Sequence, residues 1–308
     1  MFLRTGLSAQ QLTVQLTYIY NQILSVLTLT QINKIFEQRR NYDLRRMISG
    51  SERLMHHLSA SMDTDPSFLL SSIRCLSMAP TVRDTVSESI IRYCGKMKNV
   101  VFGIVLAENQ LVTLVRMKKY FIHPADLHLL FNLINASENF KISENWTPLC
   151  LPKFDPSGFL HAHVSYISEQ ACLVLITVDR NAFSELSEAR AKIMSRMEKQ
   201  GAISSISAAL AASSYECSSL QLPDIRHFLY KSKTSAQYTA PLPAACYRAP
   251  DQMKRLNSIF LSLQNRFNVT SRPVKLCYRA TSSELVLGWS TQEPYFYVIL
   301  SASHSFDW

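Results

Sequence analysis

Glycine is scarce here, with seven in 308 residues. Loops that cradle phosphate and turns that expose a nucleophile rely on glycine for close backbone approach. The chain contains no G-x-x-x-x-G-K-[ST], no G-x-G-x-x-G and no G-x-S-x-G, so nucleotide-binding loops and α/β-hydrolase elbows are set aside. Cysteine pairing is also missing. Seven cysteines, an odd number at scattered positions with no C-x-x-C, exclude a disulfide framework or a zinc site and read as buried free thiols in a reducing cytosol. No stretch reaches the length of a membrane span, and Arg4, Gln10 and Gln11 stand where a secretion signal needs its apolar run. A soluble, cytoplasmic protein is expected. The sequons at Asn135, Asn145 and Asn268 then read as chance matches.

What is present describes a packed protein. Hydrophobic residues make up 47% and charged residues 18%, a balance unlike that of disordered chains, and the length suits about two ordinary domains. Thirty-two basic against 23 acidic side chains give a formal charge of +9, which favours anionic partners. The excess is diffuse. Its densest runs, Arg39-Arg40, Arg45-Arg46 and Arg116 with Lys118-Lys119, lack the interleaved aromatics of a nucleic-acid platform, so no nucleic-acid partner is expected.

Periodicity divides the chain. Leu12, Leu16, Ile19, Ile23 and Leu27 recur at helical spacing after Ser8, and further helices are expected over 31–41, 43–62 and 81–94, with a turn at DTDPS, 63–67. From residue 99 the pattern becomes sheet. Runs at 100–107 and 110–116 read as a hairpin, and a helix follows Pro124 with Leu127, Leu130, Phe131 and Ile134 on one face. Strands come next near 147–151, 158–167 and 171–178, then amphipathic helices over 183–199 and 203–212. The order restarts after Pro223, with a strand at 226–232, a helix from Met253 to Phe267 and strands near 273–280, 285–290 and 295–300. The second unit ends without closing helices, which would leave one sheet face partly uncovered. The helix at 8–28 is likewise expected to have its apolar stripe uncovered, because no strands precede it.

Few residues suggest chemistry. His161 and His163, two apart on a strand, share a face and form the start of a metal site, but no further ligand is near in sequence, and two half-buried sheet histidines are the simpler reading. His56-His57 reads as solvated helix surface. A Cys/His or Ser/His hydrolase pair remains an open alternative, with no residue singled out and no cofactor implied. Trp146, in the polar run SENWTP, is a candidate partner anchor set against the simpler reading of a tryptophan folded over the core. Arg116, Lys118 and Lys119 close a strand at a loop and are candidates for contact with anionic lipid.

The blocks NYDLRRMISGSERL (41–54), DPSFLLSSIRCL (65–76), HPADLHLLFNLIN (123–135), ENWTPLCLPKFDPSGFLHAHVSYI (144–167) and PDIRHFLYKSKTS (223–235) resemble signatures of the SAND/Mon family of vacuolar fusion proteins. The resemblance runs from about Leu12 to Pro294 and weakens after Ser235. It implies an α+β chain of tandem longin-like (roadblock/longin) domains, each an antiparallel five-stranded sheet flanked by helices. Residues 1–96 would be the helical remainder of a first domain, 97–222 a complete second domain, and 223–308 a third domain truncated at its C-terminus.

The same resemblance implies a subunit that pairs with a Ccz-type longin protein and promotes nucleotide exchange on the late-endosomal or vacuolar Rab GTPase. Such a chain has no catalytic residue, metal or cofactor, and it is recruited peripherally to anionic or phosphoinositide membranes of endosomes, vacuoles or lysosomes. A non-catalytic longin-type scaffold is the alternative within that fold. The opening strands of the first domain and the final helices of the third are expected to be missing, as in an incomplete gene model or a splice form.

Overall fold

The structure, a computed structural model, describes residues 9–117, 120–212, 215–221, 224–267 and 274–301. Helices α1 (Ala9–Leu27), α2 (Leu29–Gln38), α3 (Glu52–Thr64) and α4 (Ser67–Leu70) come first, followed by the two-residue strand β1 (Ile73–Arg74) and α5 (Pro80–Cys94). The middle of the chain forms β2 (Val100–Ala107), β3 (Gln110–Arg116), α6 (Pro124–Asn135), β4 (Asn145–Leu151), β5 (Asp155–Tyr166), β6 (Ala171–Thr177), α7 (Phe183–Lys199) and α8 (Ala202–Ala212). The last part forms β7 (Ile225–Ser232), β8 (Gln237–Thr239), α9 (Pro250–Phe267), β9 (Leu276–Ala280), β10 (Glu284–Ser290) and β11 (Pro294–Ser301).

The middle unit is the expected antiparallel sheet of five strands, in the order β3-β2-β6-β5-β4. Strands β2 and β6 are buried along their whole length, as their unbroken apolar runs require of strands covered on both faces. On one face, Leu127, Leu130, Phe131 and Ile134 of α6 pack on Phe102, Ile104, Val164 and Val174. On the other, Leu186, Ile193 and Met197 of α7 join Ile206 of α8 and Val86 and Ile90 of α5 over Val105, Leu173 and Leu175. Although α5 falls in the span expected of the first unit, it closes the second sheet.

Helix α6 opens with Pro124 in its first turn and the His123 ring accepting from the Ala125 N–H at 3.0 Å. Its side away from the sheet is buried too. There Tyr18, Leu58, Met62 and Phe68 gather around Ala125 and Leu129. The stripe on α1 is therefore covered, but not in the expected phase. Tyr18, Asn21, Gln22, Leu24 and Leu27 are buried, whereas Leu16 is 64% and Ile19 37% exposed. The reason is polar. Asn132 of α6 donates to Gln22 Oε1 at 2.7 Å and to Leu54 O at 2.9 Å, and its own oxygen lies 2.7 Å from His57 Nδ1. Turning Gln22 inward gives the buried Asn132 amide its partner, and it takes Leu16 and Ile19 out to solvent. His57, expected on a solvated surface, is thus part of this contact.

The last unit has the expected five antiparallel strands of its own, β7 to β11, and gains a sixth. Its sheet has six, in the order β1-β8-β7-β11-β10-β9, and β1 comes from the segment between the first and second units, pairing parallel with β8. Helix α4 ends on Ser71, a left-handed residue at φ 48°, and the chain reverses into a strap, 72–76. Ile73 N–H donates to Ala236 O at 2.9 Å and Cys75 N–H to Tyr238 O at 2.9 Å, while Leu76 N–H reaches Leu111 O of β3 at 3.0 Å. Leu256, Phe260, Leu263 and Phe267 of α9 cover one face over Leu229, Cys277 and Val286. No α-helix among the described residues covers the other.

Gly103, in the centre of β2, marks a close helix-on-sheet approach. A Cβ there would lie 2.5 Å from Ile90 Cγ2 of α5. Gly103→Ala should lower stability to urea by about 1–3 kcal/mol through overpacking, and the loss should shrink when Ile90→Ala has already removed the clashing methyl. Equal losses in both backgrounds would refute the close approach.

Candidate interaction surface

Trp146 lies on β4, the edge strand of the second sheet, opposite His163 of β5. Its ring stacks on His161 at 5.5 Å and meets Phe183 edge-on at 5.9 Å, so it packs on the core beneath α7 and is partly buried. His161 and His163 share that face, as their spacing requires, but have separate partners. His163 is fully buried, with Nε2 2.8 Å from Glu144 Oε2, and Arg190 lies 3.4 Å from Glu144 Oε1. Burial lowers the His163 pKa, and Glu144 only partly opposes this. Burial would raise Glu144, yet hydrogen bonds from Ser187 and His163 hold it below the usual carboxylate range. Among the described residues no group of three or more His, Cys, Asp or Glu side chains is arranged to hold a metal ion. Next along β4, Pro148 is exposed and lacks an N–H, which protects this edge from strand addition.

Arg116 ends β3 with its side chain exposed, while Lys118 and Lys119 lie outside the described residues. The register adds basic residues that sequence reading did not group with it. Met117 N–H bonds Val101 O and Val178 N–H bonds Asn99 O, so exposed Lys98 and Arg180 sit at the same end of the sheet as Arg116. A second surface is the uncovered face of the six-stranded sheet, where Tyr230, Leu276, Tyr278 and Trp289 are each exposed. Apolar sheet faces of this kind mark contact sites.

The cysteines give little support to nucleophilic chemistry. Burial pushes the Cys75 thiol up to about 11 and those of Cys94, Cys150 and Cys172 to about 12, which keeps them protonated near neutrality.

Comparison with known proteins accounts for the arrangement of the units. Three family models match in order: the first longin domain of FUZ, MON1 and HPS1 over residues 3–58, the second over 98–195 and the third over 224–305. Vacuolar fusion protein MON1 homolog A of Homo sapiens is 47% identical over 290 residues, 94% of this chain and 44% of its own length. The chain belongs to the MON1/SAND family. Protein SAND of Takifugu rubripes is 42% identical over 97% of the chain and 57% of its own length, and Vacuolar fusion protein MON1 of Cryptococcus neoformans (strain JEC21) is 37% identical over 94% and 47%. The chain spans about half the length of the curated relatives it matches.

Within this MON1/SAND chain the strap and α5 fall between the first and second domain matches, and the strap is fixed by groups from the second and third units and from α5. Its clearest titratable contact is His128 of α6, whose Nε2 lies 3.0 Å from Ser72 O, with its ring stacked on Phe68 at 4.1 Å. Burial lowers His128 to about 4, and burial together with Arg74 lowers His227 to about 4. As pH falls below about 6.5 the unfolded chain takes up protons at these sites before the folded one does, so their stabilising contribution is lost between about 6.5 and 4. Asp126 opposes them. Burial raises it to about 6 against the backbone N–H of Lys153, so it favours the fold below about 4 and loses that contribution as pH rises through 6. With two histidines against one carboxyl, the urea midpoint should be lower at pH 5 than at pH 7. His128→Gln, which retains a donor toward Ser72, should flatten that difference. A midpoint that rises on acidification would contradict the burial of these rings.

Proposed function

We propose that the chain acts in vacuolar fusion and membrane trafficking as a regulatory subunit. With a Ccz-type longin protein it forms a heterodimer that promotes GTP loading on the late-endosomal or vacuolar Rab GTPase. The observation that carries this reading is the breadth of the match. Relatives named vacuolar fusion proteins in a mammal and a fungus align with 94% of the chain, through all three longin units. Nucleotide exchange needs no covalent step. A protein surface that binds the nucleotide-free GTPase more tightly than the loaded one deforms the switch regions and lets nucleotide leave.

The chain presents surfaces suited to assembly. Trp146, partly buried and backed by His161 and Phe183, is a candidate anchor for a partner. The basic sheet end with Arg116, followed in sequence by Lys118 and Lys119, suits peripheral contact with anionic or phosphoinositide membrane. Among the described residues no helix is long and apolar enough to cross a membrane.

The test is nucleotide release from the Rab GTPase, in solution and tethered to anionic vesicles, with the chain and a Ccz-type partner supplied together. Release should accelerate in both settings. Replacing Arg116, Lys118 and Lys119 with alanine should leave the solution rate unchanged and weaken vesicle binding on the order of a hundredfold at low salt, at about 1 kcal/mol per cation. Complex formation without accelerated release would favour the scaffold reading, and no complex at all would sink both.

A further inference from the structure

A cleft of about 440 Å³ opens where the second and third units meet. Cavities of this size at domain junctions are the usual setting of small-molecule sites. Its floor is the third-unit core, Leu229, Leu256 and Phe260, and Met253 of α9 stands half-buried at the rim. Its polar wall comes from the strap. Arg74 donates to Ala240 O at 3.3 Å and makes no ion pair among the described residues.

The two carboxylates on the lining are hydrogen-bonded to neutral donors and neither pairs with Arg74. Asp65 accepts from the Ser67 N–H at 2.9 Å and the Tyr238 hydroxyl at 3.3 Å, and Glu108 accepts from Gln170 Nε2 at 3.0 Å. His227, with 5% of its surface exposed, lies against Phe260 at 5.5 Å and stays neutral at physiological pH. The cleft therefore combines an apolar floor with a guanidinium that no carboxylate satisfies. No cysteine, serine or threonine is among its lining residues, so it is built to hold a molecule and offers no nucleophile.

We propose that this cleft binds an amphipathic monoanion, with an aliphatic body on Leu229, Leu256 and Phe260 and a carboxylate on Arg74. A carboxylate fits the planar fork of arginine by two parallel hydrogen bonds. The proposal does not depend on the Rab reading, because the site is formed within this chain and needs no partner chain.

The test is calorimetric titration of the whole chain with octanoate, octanol and octylammonium, all kept below their aggregation concentrations. Octanoate should bind at one site and more tightly than octanol, and octylammonium should bind most weakly. Arg74→Gln should weaken octanoate about tenfold or more, the worth of a charge-assisted hydrogen bond, and leave octanol unchanged. Met253→Trp, which fills the rim and removes no hydrogen bond, should abolish binding of both. Because Arg74 also bonds Ala240 O, Arg74→Lys serves as a check and should keep octanoate tighter than octanol. The proposal is overturned if octylammonium binds best, since the acidic lining would then govern the site. It is equally overturned if Met253→Trp leaves octanoate binding intact, since the ligand would then lie on other apolar surface.

Discussion

Everything beyond the second sheet is positioned by the backbone of the strap at 72–76. Its N–H groups donate to β8 on one side and, at Leu76, to β3 on the other, so a single extended segment lies between the edges of two sheets. An extended segment left unpaired and buried would cost the desolvation of each orphaned group. Here both edges satisfy it, and both edges are capped by the same five residues. Side chains of α5, α6 and β7 complete the joint. His128 of α6 meets Ser72 O, Arg83 of α5 donates to Leu76 O at 2.8 Å and also to Val112 O, and Lys231 of β7 donates to Leu70 O. Burial, with Lys233 nearby, lowers Lys231 to about 8, the expected response of an ammonium held in a poorly solvated place.

This joint explains how helices without a sheet of their own among the described residues can be ordered. Helices α1 and α3 rest on the outer side of α6, whose inner side is already part of the second core. The contact is partly apolar and partly a closed polar network centred on Asn132. Buried networks of this kind specify one arrangement, since sliding the helices by a turn would leave Asn132 and Gln22 unpaired. The cleft beside Arg74 and the uncovered face of the six-stranded sheet are both consequences of where the strap sets that sheet.

Much of the fold was legible in the sequence because period and burial agree. The hairpin at 100–116, the helix after Pro124 and the last three strands follow from apolar patterning and turn residues. What could not be read was held by backbone pairing over long separations. Ile73-Arg74 carries no strand signal of its own and is a strand only because residues about 160 positions later offer an edge. The three-residue β8 was missed for the same reason. The phase of α1 was misjudged because Leu16 and Ile19 outscore Gln22 on any apolar count, and the polar partner of Gln22 that reverses the order lies on α6. For the candidate sites, the spacing of His161 and His163 placed them on one face and did not disclose Glu144 or the stacked Trp146. Arg74 and His227, which define the cleft, carry no local motif at all.

The family assignment gives the units their identity, and the strap makes them one body. That claim is open to native-state hydrogen exchange at the amides of Ile73, Cys75 and Leu76. If the strap joins the sheets as described, these three amides exchange as slowly as those of the strand edges they pair with and lose protection together with them as denaturant is added. If they exchange at the rate of a free loop while β3 and β7 remain protected, the two sheets are not joined through this segment and the account of their arrangement is wrong.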